Sequence, residues 1–202
     1  VTPAPTAPAR ASPALRGRPF LDTVFLDRDG TLNVKADEGR YVTSPADLVM
    51  LPGAVDAVRR LNATGARVIV VTNQRGVARG LMSRQDLDRV HDRLHSLLAA
   101  GGARVDAVLA CPHAADSCDC RKPLPGLVTQ AADRFAGLSP TRSAMVGDAD
   151  SDVELGLRLG MLTVRLGTEA ARKPLADHTV PTLAAAVEVL APLVVKGPRG
   201  AH

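Results

Sequence analysis

A chain of 202 residues is long enough for one domain with a substantial core and too short for two large ones. Its 46% hydrophobic content is almost wholly aliphatic, with aromatics at 2%, which suits helices packed on strands and argues against a surface that stacks on single-stranded nucleic acid. The net charge of +4 comes from scattered Arg and Lys rather than a basic stripe, so anionic small molecules fit as partners and nucleic acid is not expected.

Taken in chain order, residues 1–20 read as a flexible Pro/Ala/Arg-rich tail without the continuous apolar core of a signal peptide. Short apolar runs then alternate with helix-like stretches. "TVFL" (23–26), "RVIVV" (67–71), "DAVLA" (106–110), "SAMVG" (143–147) and "LTVRL" (162–166) have the length and composition of buried strands. Between them, "AVDAVRRLNATG" reads as a helix ending on Gly65. Ser83 with Asp86 resembles a capping box ahead of Leu87, Val90, Leu94, Leu97 and Leu98 at helical spacing. The alternation predicts an α/β fold: a three-layer, Rossmann-like parallel sheet with helices on both faces, one domain over 21–194 and a C-terminal tail over 195–202. No run approaches a membrane span, and three cysteines crowded into ten residues cannot build a long-range disulfide framework. A reducing cytoplasm is therefore the expected location, and a monomer the working expectation.

In an open α/β sheet, ligands sit beyond the carboxyl ends of the strands, and the polar motifs fall there: Asp27, Thr72, Cys111 and Asp148 directly follow the first four runs. "FLDRDGTLN" puts two carboxylates two residues apart, with Gly30 permitting a sharp turn. Asp27 there could attack phosphorus to form an aspartyl-phosphate while its other oxygen binds a hard cation. Asp29 could protonate the leaving alkoxide and later take a proton from water. "VVTNQRGVARG" adds Thr72, Asn73 and Gln74 in a loop suited to an oxyanion. "MVGDADSDVELG" adds three acids. Asp148, ending its strand, is the expected cation ligand, with Asp152 in reserve and Asp150 solvated. Each motif alone has a plain structural reading as an Asp/Gly turn, an ordinary loop or helix capping. Their ordered placement at successive strand ends, with Lys122 among them, argues for a phosphoryl-transfer site.

"CPHAADSCDCRKPLPG" (111–126) holds every cysteine of the chain. The pattern Cys111-x-His113-x4-Cys118-x-Cys120 offers three thiolates and an imidazole, a set matching a closed, structural zinc site that would pin the loop carrying Arg121 and Lys122. A redox pair of Cys118 and Cys120 is the alternative, although C-x-C is strained, as is an inert loop. His91 and His95, four apart on a helix, flank an apolar stripe with no third ligand near in sequence and read as a polar or half-buried face.

"FLDRDGTLN", "VVTNQRGVARG", "CRKPLPG" and "MVGDADSD" together resemble the four signature segments of the haloacid dehalogenase-like phosphatases, over about Asp22 to Gly167. The cysteine loop resembles the branch that includes heptose-bisphosphate and histidinol-phosphate phosphatases. The resemblance implies Asp27 as nucleophile and Asp29 as general acid/base. It implies Mg2+ held by Asp27, the backbone carbonyl of Asp29 and Asp148, with Thr72 and Lys122 on the transferring phosphoryl. It further implies substrate contacts from Asp37, Glu38, Gly39, Tyr41, Asn73, Gln74 and Arg121, Arg121 reading a second phosphate of the sugar. The sequence departs from the branch at Ala149, where a lysine is common, and at Arg75, where a small residue often follows "TNQ"; Arg75 is counted with the substrate contacts. About forty residues separate the first two motifs, so only a minimal cap is expected. The expected substrate is a heptose 1,7-bisphosphate losing its 7-phosphate. Histidinol phosphate is second, since no second catalytic domain follows, and a non-catalytic phospho-accepting or zinc-containing binding module comes last.

Overall fold

The computed structural model describes residues 20–169 and 173–195. The expected tails, 1–20 and 195–202, lie outside the described residues apart from Phe20 and Val195. Six strands form one sheet: β1 (Thr23–Leu26), β2 (Arg67–Asn73), β3 (Ala107–Cys111), β4 (Ser143–Gly147), β5 (Leu162–Leu166) and β6 (His178–Val180). All pairings are parallel, in the order β3-β2-β1-β4-β5-β6. The chain winds outward from β1 in one direction and then from β4 in the other, so the order reverses beside β1 and opens a crevice at its carboxyl end.

Side chains alternate faces along each strand, and this sorts the core into two halves. Val24, Leu26, Val68, Val70, Val146 and Val164 pack with α1 (Ala54–Thr64), α2 (Arg84–Ala100) and α5 (Leu183–Leu190). Phe25, Ile69, Val71 and Met145 face the other way, toward α3 (Gly126–Arg134) and α4 (Asp150–Arg158). The three-layer arrangement is thus as the sequence predicts. Ser83 caps α2, its Oγ accepting from the Asp86 N–H at 3.0 Å, and Leu87, Val90, Leu94 and Leu98 bury one face of that helix. Truncating Leu94 to Ala would cost roughly 2–5 kcal/mol.

Two details differ from expectation. β2 and β3 pair through Asn73 opposite Cys111, so Thr72 and Cys111 are strand residues rather than the first residues beyond. β6 was not expected at all; its three residues are half-buried and form no apolar run.

Candidate active site

Asp27 is the first residue past β1, and its N–H still donates to Val146 O at 2.9 Å, which holds it in line with the sheet. Its carboxylate is nearly buried, and Oδ1 accepts from Lys122 Nζ at 2.6 Å. The same ammonium reaches Val71 O at 2.7 Å and Asp152 Oδ1 at 2.7 Å. Burial pushes the Asp27 carboxyl up against the lowering pull of Lys122, with Asp152 adding to the rise. For Lys122 the balance is opposite: burial disfavours its charge, but Asp152 and Asp27 outweigh it, so the ammonium stays charged.

Lys122 arrives on a loop 95 residues after Asp27 and is held there by Asn73. The Asn73 amide donates to Lys122 O at 3.0 Å, and its Oδ1 accepts from the Lys122 N–H at 2.9 Å. Both amide atoms, expected to meet substrate, are therefore taken by the lysine's backbone.

Asp148 follows β4. Its Oδ2 accepts from Lys35 Nζ at 2.7 Å, while Oδ1 is buried with no hydrogen-bond partner. Oxygens of Asp27, Asp148 and Asp152 lie within 4.8 Å of one another. Three carboxylates around an orphaned buried oxygen suit a hard divalent cation such as Mg2+. The sequence ranks Asp152 as a reserve; the fold brings it into the group, 1% exposed, while its Oδ2 caps α4 by accepting from the Ala149 N–H at 3.1 Å. Two glycines let these groups meet. A Cβ on Gly30, whose φ is +91°, would come within 2.6 Å of Asp148, and one on Gly147 within 2.1 Å of Asp152. Asp150, expected to be solvated, has its side chain 42% exposed and also accepts from Arg165 Nη1 at 2.8 Å, where that buried guanidinium needs a counter-charge.

Asp29 is held apart from that group. Oδ1 accepts from Asn33 Nδ2 at 2.9 Å and Oδ2 from Gln74 Nε2 at 2.7 Å, while the Arg28 guanidinium forks onto both oxygens. Burial would raise its pKa, but the Arg28 charge and these hydrogen bonds overcome it and hold the carboxyl below its usual range. Gln74 also donates to Thr72 Oγ1 at 2.8 Å, so one buried amide ties the second motif to the first.

A cavity of about 670 Å³ is lined by Lys35, Asp37, Gly39, Arg40, Tyr41 and Leu81 among others, and Lys35 links it to Asp148. Glu38 is exposed nearby in sequence and is not among the lining residues. Arg75 Nε donates to Tyr41 Oη at 3.3 Å. Arg121 is half-buried, and its Nη1 is buried with no partner. Sequence reasoning missed Lys35 and Arg28, and read His91 only as part of a polar or half-buried face. The cation beside Asp148 comes from Lys35 across 113 residues, on a different segment from Ala149, the position at which the sequence departs from the lysine common in the branch it resembles.

At the end of β3 the four expected zinc ligands converge. Cys111 Sγ and Cys120 Sγ each lie 3.5 Å from Cys118 Sγ, and His113 Nδ1 is 3.2 Å from Cys120 Sγ and 3.8 Å from Cys111 Sγ. A tetrahedral ion with sulfur ligands at about 2.3 Å holds them roughly 3.8 Å apart, so the set fits zinc. The cysteines are free, with sulfurs well beyond bonding distance. His91 and His95 belong to no three-residue ligand group among the described residues.

Comparison with known proteins agrees with this geometry. A family model described as HAD-hydrolase-like matches residues 119–192. D-glycero-β-D-manno-heptose-1,7-bisphosphate 7-phosphatase of Bordetella bronchiseptica is 37% identical over 162 residues, covering 80% of this chain and 89% of the relative. D-glycero-α-D-manno-heptose-1,7-bisphosphate 7-phosphatase of Mycobacterium tuberculosis is 43% identical over 133 residues, covering 65% and 70%. The crystal structure of D,D-heptose 1,7-bisphosphate phosphatase from B. bronchiseptica, complexed with magnesium and phosphate, superposes with a TM-score of 0.75 at 35% identity, covering 85% of this chain and 99% of that one. The chain belongs to the haloacid dehalogenase-like phosphatases, and is a phosphoric monoester hydrolase. Among the described residues no helix is long and apolar enough to cross a membrane.

Proposed function

We propose that this chain is a Mg2+-dependent phosphatase that removes the 7-phosphate of a D-glycero-D-manno-heptose 1,7-bisphosphate, serving the synthesis of nucleotide-activated heptoses. The observation that carries the reading is the meeting, at the end of β1, of a buried carboxylate, a buried lysine and an orphaned carboxylate oxygen from β4. The names of the relatives support the substrate, and they divide between the α and β anomers, so both belong in the test.

An Asp27 oxygen attacks phosphorus in line as the P–O bond to C7 breaks, and Asp29, which must first take up a proton because Arg28 holds its carboxyl below the usual range, delivers it to the departing alkoxide. Water then attacks the aspartyl-phosphate while Asp29 takes its proton, releasing phosphate and restoring Asp27. Lys122 and Thr72 hold the transferring oxygens, and Gln74 fixes Asp29 and Thr72 relative to each other. Asp27, Asp148 and the Asp29 backbone carbonyl, with Asp152 beside them, would hold Mg2+, which would supply positive charge against the phosphoryl oxygens. Arg121, with its unpartnered nitrogen, is the reader of the second phosphate, and Asp37, Gly39, Tyr41 and Arg75 border the sugar. Cys111, His113, Cys118 and Cys120 would hold zinc with four protein ligands, and such an ion would serve a structural role.

The test is the initial rate of phosphate release, with Mg2+, from both heptose anomers beside histidinol phosphate, with Asp27→Asn as blank. Rapid release from one heptose anomer is expected. Turnover of histidinol phosphate alone would overturn the substrate and leave the chemistry standing.

A further inference from the structure

Arg28 stands between the two aspartates of the first motif, and its side chain has no exposure to solvent. A buried guanidinium is tolerated only when its charge is paired and its donors are met. Nε and Nη2 go to Asp29, at 3.2 Å for Nε and at 3.0 and 2.9 Å for Nη2. The remaining end, Nη1, meets His91 Nε2 at 3.2 Å, a residue 63 positions away on α2. Guanidinium has donors only, so the His91 nitrogen accepts, which requires a neutral ring with its proton on Nδ1. Burial first, then the charges of Arg28 and His95, depress the His91 pKa to about 3, which keeps that neutral form in place near pH 7. The imidazole is carried by a helix anchored through Leu87, Val90 and Leu94. A rigid element therefore grips the far end of the guanidinium whose near end grips Asp29.

We propose that His91 is a positioning residue for proton transfer: by accepting from Arg28 Nη1 it fixes the guanidinium fork that aims the Asp29 carboxylate. The inference rests on the reading of Asp29 as general acid/base and adds a helix α2 residue that touches neither substrate nor the reacting atoms. Without the acceptor, Nη1 loses a buried partner, the guanidinium turns toward other oxygens, and the carboxylate it holds turns with it.

Leaving-group dependence separates positioning from general damage. A sugar alkoxide is a poor leaving group and needs a proton as the P–O bond breaks, whereas p-nitrophenolate leaves with little help. The value of kcat/KM covers events through that cleavage. For His91→Leu, kcat/KM on a primary alkyl phosphate turned over by the wild type is expected to fall about 10-fold or more, and on p-nitrophenyl phosphate by less than about 3-fold. His91→Gln, whose side-chain carbonyl can accept from Arg28, is expected to restore most of the alkyl rate. If His91→Leu does not fold, His91→Asn carries the same comparison, its shorter amide stopping short of Nη1. Equal losses on both esters, no loss on either, or failure of Gln to recover the alkyl rate would overturn the proposal. A wild type that ignores the heptose bisphosphates but hydrolyses another primary alkyl phosphate would sink the substrate reading and leave this test intact.

Discussion

Two ligand clusters in this molecule share the same span and have opposite character. Asp27, Asp148 and Asp152 bring hard oxygens within 4.8 Å at the ends of β1 and β4, and Cys111, His113, Cys118 and Cys120 bring soft atoms equally close at the end of β3. The carboxylates already have cations, Lys122 on Asp27 and Asp152 and Lys35 on Asp148. They can therefore exchange one positive partner for another without the fold coming apart. The thiolate cluster closes four ligand atoms on one another, so charge on its sulfurs calls for a metal. The lesson is a division of labour: one cluster is built for reversible chemistry and the other for holding a loop, and losing the ion should harm activity in the first and stability in the second.

The largest effect comes from the nucleophile. Asp27→Asn should lower phosphate release by a factor on the order of 10⁴ or more, since no second step can proceed without the acyl-phosphate. Its melting temperature should not fall, because the substitution relieves a buried carboxylate of its charge. Removing Mg2+ with a chelator should mimic the loss of rate, reversibly and with little change in the melting curve. A large drop in melting temperature in either case would erase the contrast between the clusters.

Next comes Cys118→Ser. The wild type should carry one equivalent of zinc by elemental analysis, and the variant should lose it together with roughly 3–5 kcal/mol of stability. That corresponds to a shift of about 10 °C for a domain of this size. Activity should fall with it, because Lys122 follows Cys120 by two residues. Full thermal stability without zinc would mean the loop needs no clasp. Arg121→Met should be milder: a rise in KM of about 10- to 100-fold for the bisphosphate, the range expected when a charged hydrogen bond is lost. A heptose 7-monophosphate should be affected far less, and equal effects on both would remove Arg121 from the second phosphate.

The parts of this plan visible in the sequence were those with a local pattern. Five strands announced themselves as apolar runs, and β6 did not, since a half-buried edge strand of three residues has no pattern to read. The cysteine spacing carried its chemistry openly, and Asp27 and Asp148 stood at predicted strand ends. Asp152 looked like a helix cap and is one, but only the close approach at Gly147 brings it to the cation group. Lys35 and Arg28 were invisible for another reason, and so was the link that His91, read only as a polar or half-buried face, makes to Arg28. Their partners lie across the fold, 113 residues away for Lys35 and 63 for the Arg28 and His91 pair, and a single cation in a loop or a histidine on a helix has no periodicity.

Lys35→Met should have the smallest effect, and two consequences of opposite sign make it informative. Its ammonium sits 2.7 Å from Asp148 Oδ2 with its side chain 56% exposed. An exposed ion pair of this kind is screened and worth about 0.2–1 kcal/mol. Removing it takes away a competitor for Asp148, so Mg2+ should bind tighter by roughly 2- to 5-fold in a calorimetric titration. Lys35 also lines the cavity bordered by Asp37, Gly39 and Tyr41, the residues proposed to border the sugar. If the lysine leaves Asp148 for the substrate when the cation enters, KM should rise even as Mg2+ affinity improves. Tighter metal binding with an unchanged KM would make Lys35 only a placeholder for the cation. A loss of Mg2+ affinity would contradict the competition itself, and with it the claim that the carboxylate cluster trades one cation for another.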